Sequence, residues 1–178
     1  MRDDLESVLF PEEQIADRVK ELGLQLSQDF AGRDLSVLIL LHGGMMFAAD
    51  LIRHISLPLT VETLAVASYK GEQSSGQLEW PKELRFGDLQ GRDLLIVDDI
   101  LDTGTTLSGV RERMGEEFHP ESIQVCVLLD KLRPRIRHVE PDYVGFEVED
   151  VFVVGYGLDY NARYRNLPYI GVLKEECI

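Results

Sequence analysis

The stretch Leu94-Leu95-Ile96-Val97-Asp98-Asp99-Ile100-Leu101-Asp102-Thr103-Gly104-Thr105-Thr106-Leu107 decides the fold class. It begins with four apolar residues, passes through two adjacent acids, and ends in a threonine- and glycine-rich turn that opens a helix. A buried strand followed at once by a turn and a helix is typical of parallel sheets with crossover helices. Because ligands bind beyond the carboxyl ends of such strands, the acids and the turn are candidates for a binding site.

The same pattern extends outward along the chain. Residues 35–41 and 122–129 are almost continuous apolar runs, which predicts strands buried on both faces. Between residues 15 and 26, apolar side chains recur every three or four positions, which predicts an amphipathic helix. We therefore expect an α/β fold with a central, mainly parallel sheet flanked by helices. Further strands are predicted at residues 59–67, 143–148, 151–156 and 169–173, and further helices at residues 48–55 and 105–118.

The composition is that of an ordinary globular protein with an acidic excess. The 178 residues include 18 Lys and Arg against 32 Asp and Glu, a formal charge of −14. This acidity disfavours nucleic-acid binding, which depends on Lys and Arg contacts to phosphates. Since no apolar run reaches the roughly 18 residues of a membrane span, and residues 1–10 lack the basic character of a signal peptide, we expect one domain over residues 1–178, in the cytoplasm, with no membrane partner.

The turn Thr103-Gly104-Thr105-Thr106 has the character of a phosphate site. A helix that begins there offers free backbone N–H groups, hydroxyl donors and the positive end of its dipole. The turn is neither a P-loop nor a dinucleotide-binding fingerprint. Asp98, Asp99 and Asp102 would repel a phosphate unless hydroxyl groups donate to them or a divalent cation lies between the charges. A sugar phosphate that binds with Mg²⁺ meets both conditions.

Four segments, in order over nearly the whole chain, resemble a known family. The run Val97-Asp98-Asp99-Ile100-Leu101-Asp102-Thr103-Gly104-Thr105-Thr106 is similar to the motif that binds 5-phosphoribosyl-1-pyrophosphate (PRPP) in type I phosphoribosyltransferases. The hypoxanthine-guanine branch of that family is indicated by Leu41-His42-Gly43-Gly44, by Leu129-Asp130-Lys131, and by residues 151–160 followed by Arg165.

The resemblance implies the type I phosphoribosyltransferase fold. A central, mainly parallel sheet would be accompanied by a small hood that binds the purine, formed by about residues 130–178 and the N-terminal segment. A mobile loop at about residues 69–80 would fold over the site during the reaction and exclude water.

The resemblance also implies roles for the acids and the turn. Asp98 and Asp99 would accept hydrogen bonds from the ribose hydroxyls, and Asp102 would face N7 of the purine as general acid/base. The first acid of the pair is commonly Glu in this family, so the shorter Asp98 is expected to make a looser or water-mediated contact. The 5′-phosphate would be held by Asp102, Thr103, Gly104, Thr105 and Thr106.

Four further positions match the purine and metal sites of the family. Lys131 would donate to O6 of the base, and because an ammonium only donates, it favours an oxo group over an amino group. Phe152 would stack on the ring, and the backbone of Val153 would contact its edge. Asp159 would belong to the purine pocket and help to hold Mg²⁺, with Asp98 and Asp99 as further candidate metal ligands.

The pyrophosphate site contains the clearest departure from the family. His42 stands where Lys or Arg is usual, in a loop that often has a cis peptide bond at the position of Leu41-His42. Because an imidazole is mostly neutral at pH 7, we expect weaker or more pH-dependent pyrophosphate binding than a Lys would give. The residues implied for this site are His42, Gly43, Ser68, Tyr69 and Arg165.

Together these features imply a Mg²⁺-dependent enzyme of purine salvage. It would join hypoxanthine or guanine to PRPP and give IMP or GMP and pyrophosphate, as a homodimer or homotetramer. A regulatory protein of the same fold is the alternative, which would sense nucleotides and bind RNA through the basic run from Lys131 to Arg137. A phosphoacceptor receiver domain also gathers acids around Mg²⁺, but it leaves the threonine-rich turn and Phe152 unexplained.

Overall fold

The fold is described from a computed structural model that covers residues 1–68 and 78–178. Strands and helices alternate through the first three quarters of the chain, and short strands follow. The elements are β1 (Leu5–Phe10), α1 (Glu12–Asp29), β2 (Leu35–Leu41), α2 (Met45–Arg53), β3 (Leu59–Ala65), β4 (Ala67–Ser68), β5 (Leu78–Glu79), β6 (Asp93–Leu101), α3 (Thr105–Phe118), β7 (Ser122–Lys131), β8 (Tyr143–Val148), β9 (Val153–Val154) and β10 (Ile170–Leu173), before a 3₁₀ turn at Glu175–Cys177.

The main sheet has five strands in the order β3-β2-β6-β7-β8, and every neighbouring pair is parallel. The predicted parallel sheet is therefore confirmed. The strand order reverses between β2 and β6. The strand β3 follows β2 along the chain and lies on one side of this pair, whereas β7 and β8 follow β6 and lie on the other side.

Helices cover both faces of this sheet, which explains its continuous apolar strands. The face under α1 and α2 packs Ile15, Leu22 and Phe47 against the sheet, each at most 1% exposed. The opposite face packs α3 through Val110 and Met114, both fully buried. The core is thus divided into two layers by the sheet.

The predicted helices and central strands occur, with shifts at their ends. The helix predicted over residues 48–55 is α2, which begins three residues earlier and ends at Arg53. Sequence patterning predicted a buried strand over residues 93–97, where the apolar run ends, with the two acids at its end. The structure extends β6 to Leu101, so Asp98 and Asp99 lie within the strand and its pairing with β7.

A second, small sheet joins the two ends of the chain in the order β1-β10-β9. The strand predicted at residues 151–156 is reduced to Val153–Val154, and β1 was not predicted at all. The predicted hood included the residues of β8, but β8 belongs to the main sheet. The small sheet therefore contains fewer residues than the predicted hood. Tyr164 Oη donates to Asp4 Oδ2 at 3.0 Å and ties the N-terminal segment to it.

Within residues 1–68 and 78–178, no helix combines the length and the apolar character that a membrane crossing requires. Most of the loop predicted at about residues 69–80 lies outside the described residues. The strand β5, where the described residues resume, pairs antiparallel with β4.

Candidate active site

The candidate site lies where the order of the main sheet reverses. In parallel sheets, ligands usually bind in the crevice between the two strands at which the order reverses, beyond the carboxyl ends of those strands. The loop of residues 42–44 follows β2, and the turn of residues 102–104 follows β6. Since β2 and β6 are neighbours, the two loops that the sequence singled out flank one crevice.

Asp98 and Asp99 form a partly buried acid pair at the end of β6. The backbone N–H of Asp99 donates to Asp98 Oδ1, and that of Ile100 donates to Asp99 Oδ1, both at 2.9 Å. Burial, reinforced by the charge of Asp99, raises the pKa of Asp98 well above its usual range, and burial also raises the pKa of Asp99. The pair therefore favours partners that donate hydrogen bonds or carry positive charge, such as sugar hydroxyls or a divalent cation.

The loop after β2 lies directly against this acid pair. A Cβ added to Gly43 would stand 1.8 Å from Asp99 Oδ2, so only glycine permits this approach. The peptide bond between Leu41 and His42 is cis, as the resemblance implied, and His42 is exposed. The sequence assigned Gly43 to pyrophosphate alone, whereas its packing on Asp99 connects the pyrophosphate loop to the ribose acids.

The turn after β6 is held by the segment that follows β7. The N–H groups of Ile136 and Arg137 both donate to Thr103 O, at 2.9 and 3.1 Å. Gly104 has a φ of +79°, and a Cβ there would stand 2.1 Å from Arg137 O. Because α3 begins at Thr105, its first N–H groups have no acceptor within the helix and point into the turn. The turn thus has the features of an anion site.

Beside this turn, four charged side chains form a cluster of alternating sign, which we call the charge cluster: Asp102, Lys131, Arg133 and Asp150. Lys131 Nζ lies 3.2 Å from Asp150 Oδ1 and 4.0 Å from Asp102 Oδ2. Arg133 Nη1 lies 3.3 Å from Asp102 Oδ1 and 3.4 Å from Asp150 Oδ1. The structure thus brings together the predicted general acid/base and the predicted purine-recognising lysine.

Three of the four cations of the basic run after β7 lie against acids of the same chain. The Lys131 side chain is 11% exposed and belongs to the charge cluster with Arg133. Arg135 pairs with Asp130 and donates to Val139 O. The fourth cation of the run, Arg137, is exposed.

Asp159 and Arg165, which the sequence assigned to metal and to pyrophosphate, form an ion pair with each other. Arg165 Nη2 lies 2.6 Å from Asp159 Oδ1, and its Nη1 donates to Gly157 O at 2.6 Å. A Cβ on Gly157 would stand 2.2 Å from Gly43 O, so this segment packs on the loop after β2. The charge of Arg165 also opposes the rise in the pKa of Asp99, which places the guanidinium near the acid pair.

The carboxylates of the site suit Mg²⁺ chemically, but they do not form a closed cage. Within the part of the chain that the structure describes, no three His, Cys, Asp or Glu side chains converge as a ready-made metal site. Magnesium is usually held by one or two carboxylates together with substrate phosphates. The adjacent carboxylates of Asp98 and Asp99 fit that mode.

The remaining predicted residues belong to the small sheet and its hydrophobic cluster, to β4, or to the part outside the described residues. Phe152 meets Tyr160 edge to face, with ring centroids 5.4 Å apart, and packs in the hydrophobic cluster of the small sheet. Val153 pairs with Val172 in that sheet and is 6% exposed. The backbone of Ser68 belongs to β4, and Tyr69 lies outside the described residues.

Sequence reasoning missed Arg133 and Asp150 as site residues. Arg133 was read as part of a basic run, and Asp150 was given no role. One signal was available for Asp150, because it closely follows the carboxyl end of β8 just as Asp102 follows that of β6. Acids in that position of a parallel sheet face the ligand edge.

Comparison with known proteins gives one consistent family. Residues 8–161 match the phosphoribosyl transferase domain family. The chain is 44% identical over 177 residues to a hypoxanthine-guanine phosphoribosyltransferase of Staphylococcus aureus, covering 99% of this chain and 98% of that protein. It is 41% identical over 174 residues to a protein of the same name from Streptococcus thermophilus, covering 97% and 96%.

Solved structures give the same result. A crystal structure of a hypoxanthine phosphoribosyltransferase from Staphylococcus aureus superposes with a TM-score of 0.93 at 44% identity, covering 99% of this chain and 95% of that chain. A hypoxanthine-guanine phosphoribosyltransferase from Bacillus anthracis superposes with a TM-score of 0.88 at 35% identity, covering 96% and 98%. The fold is therefore shared over almost the full length of each chain.

Proposed function

The chain belongs to the hypoxanthine-guanine phosphoribosyltransferases of the phosphoribosyl transferase domain family, enzymes of purine salvage, and on that premise we propose which reaction it catalyses and with which residues. It transfers the phosphoribosyl group of PRPP to hypoxanthine or guanine and releases IMP or GMP and pyrophosphate. The observation that carries this proposal is the crevice at the reversal of the sheet, where an acid pair, an anion-binding turn and an Asp–Lys pair meet.

The sugar phosphate is held at the end of β6. The Asp98 and Asp99 carboxylates accept hydrogen bonds from the ribose 2′- and 3′-hydroxyls, which replaces the water that burial has removed from them. The 5′-phosphate binds at the turn of residues 103–106, where the N–H groups of the first turn of α3 point outward. Because the sugar phosphate is held at its ribose hydroxyls and at its 5′-phosphate, the position of its anomeric carbon is fixed.

The purine is held at the ends of β6 and β7. Lys131 donates to O6, and Asp102 accepts the N7 proton as N9 attacks the anomeric carbon and pyrophosphate leaves. Removal of that proton raises the electron density of the ring and so the nucleophilicity of N9. Asp102 Oδ2 is the oxygen available for this role, because the Asp102 side chain is 40% exposed while its Oδ1 is buried beside Arg133. Phe152 stacks on the base, and the backbone of Val153 contacts its edge.

Pyrophosphate binds between the loop after β2 and the segment of residues 157–165. His42 and Gly43 contribute from one side and Arg165 from the other, with Ser68 and Tyr69 at the start of the loop that closes over the site. Asp159, or the acid pair together with the substrate oxygens, would hold Mg²⁺, which would supply positive charge for the departing pyrophosphate. Gly43 packs on Asp99, so the chain itself aligns the pyrophosphate loop with the ribose site.

The reaction is tested directly with purified protein, PRPP, Mg²⁺ and one base at a time. Release of pyrophosphate with hypoxanthine or guanine is expected, and no release with either base would refute the proposed function. Asp102→Asn removes the proton acceptor but preserves shape, so it should bind IMP normally and lose about 100-fold or more in kcat. The exposed Asp17 lies on α1 and serves as the matched control, since Asp17→Asn removes the same charge far from the site.

A further inference from the structure

The charge cluster brings together ends of three neighbouring strands. Asp102 follows β6, Lys131 ends β7 with Arg133 two residues on, and Asp150 follows β8. The Lys131 side chain is 11% exposed, whereas Asp102 and Asp150 are 40% and 49% exposed. Lys131 is therefore the most shielded charge of the cluster, and its partners decide where the ammonium lies.

Lys131 has two carboxylates within reach and lies closer to the one that does not touch substrate. Its Nζ is 3.2 Å from Asp150 Oδ1 and 4.0 Å from Asp102 Oδ2. Without the charge of Asp150, the Lys131 ammonium is attracted only to Asp102. Because the ammonium is shielded from water, the two groups would then move into direct contact. A closed pair would occupy the donor meant for O6 and the acceptor meant for N7.

Arg133 contacts both acids of the charge cluster. Its Nη1 lies at nearly equal distances from Asp102 Oδ1 and Asp150 Oδ1, 3.3 and 3.4 Å, and so bridges the two acids. Although this contact with Asp102 is close enough for an ion pair, Asp102 Oδ1 has no hydrogen-bond partner and is buried. The guanidinium therefore lies against Oδ1 and leaves Oδ2 as the oxygen of Asp102 that a base can reach.

We propose that Asp150 and Arg133 are positioning residues, which keep the Lys131 ammonium and the Asp102 carboxylate apart so that both remain available for a 6-oxopurine. This inference rests on the proposed function and deepens it. It makes selectivity for the 6-oxo group depend on two residues that do not touch the base.

The test measures how Asp150→Asn changes the use of bases with and without a 6-oxo group. The KM for hypoxanthine should rise about tenfold, the size of one lost hydrogen bond to a charged donor. The KM for PRPP should stay within about twofold, since the ribose and phosphate sites are untouched. The Ki of unsubstituted purine, which carries hydrogen at C6, should rise much less, because purine offers Lys131 no acceptor and loses only its contact with Asp102.

Two further variants separate positioning from general damage. Glu149 is exposed and adjacent to Asp150, so Glu149→Gln removes the same charge outside the cluster and should change none of these constants. Arg133→Gln should also raise the KM for hypoxanthine selectively, and Arg133→Lys should restore part of it. Thermal unfolding of each variant shows whether it folds, and the Arg133 variants carry the test if Asp150→Asn does not.

The inference is overturned if the Ki of purine rises as much as the KM of hypoxanthine, which would indicate a purely structural role. It is also overturned if the folded variants leave hypoxanthine use unchanged. A failure of the proposed function looks different, because the unsubstituted protein would then release no pyrophosphate with hypoxanthine or guanine.

Discussion

Gly104→Ala tests whether the turn after β6 is the phosphate site. Gly104 has a φ of +79°, and an added Cβ would stand 2.1 Å from Arg137 O. Two perturbations are therefore combined: a left-handed backbone that an alanine rarely adopts, and a clash with a carbonyl of the segment that supports the turn. Since real Cβ contacts essentially never fall under 3.0 Å, the turn or the Arg137 carbonyl must move by about 0.9 Å.

The two contributions have different expected sizes. The left-handed conformation destabilises the folded protein by about 1–2 kcal/mol, which lowers the melting temperature by about 2–8 °C. A displacement of about 1 Å in a group that positions substrate lowers the rate by about 100-fold. We therefore expect kcat/KM for PRPP to fall by about 100-fold in Gly104→Ala, far more than its loss of stability explains.

Gly91 provides the matched control. It has a φ of +70°, but an added Cβ finds nothing within 4 Å, and it lies at the opposite end of β6. Gly91→Ala should show the same loss of melting temperature with unchanged activity. Steady-state kinetics with varied PRPP and thermal unfolding of both variants measure these effects. If Gly104→Ala keeps kcat/KM for PRPP within about threefold of the unsubstituted protein, the assignment of the turn to phosphate is refuted.

Three further results are expected. Excess EDTA should abolish pyrophosphate release and added Mg²⁺ should restore it, because the acid pair and a polyanionic substrate need a cation between them; activity that persists in EDTA would contradict this. His42→Lys should lower the KM for pyrophosphate by roughly threefold, because an ammonium attracts phosphate oxygens, and an unchanged KM would argue against a role for His42. Burial raises the pKa of the Cys126 thiol, so dithionitrobenzoate should modify only Cys177 in the folded protein and both thiols after unfolding; two reactive thiols in the native state would contradict the packing of the core.

The sequence predicted best the elements whose signal is local. The helix α1 was predicted from apolar residues at helical spacing, and Ile15, Val19 and Leu22 are each 1% exposed. The strand β1 was missed because half of its residues are exposed, and it exists through antiparallel pairing with β10, at the other end of the chain. Pairing over such a separation leaves no periodic pattern in the residues themselves.

The sequence by itself determined the class of fold and the kinds of group that follow each strand. Acids and a threonine-rich turn after β6 indicated a sugar phosphate, and the resemblance of four ordered motifs to a known family implied a 6-oxopurine at Lys131. Only the tertiary structure decided which groups meet. It packed Gly43 on Asp99, paired Asp159 with Arg165, and set Lys131 between Asp102 and Asp150. The physical reason is that these distances depend on strand order and register, which the core residues fix together and no single segment specifies.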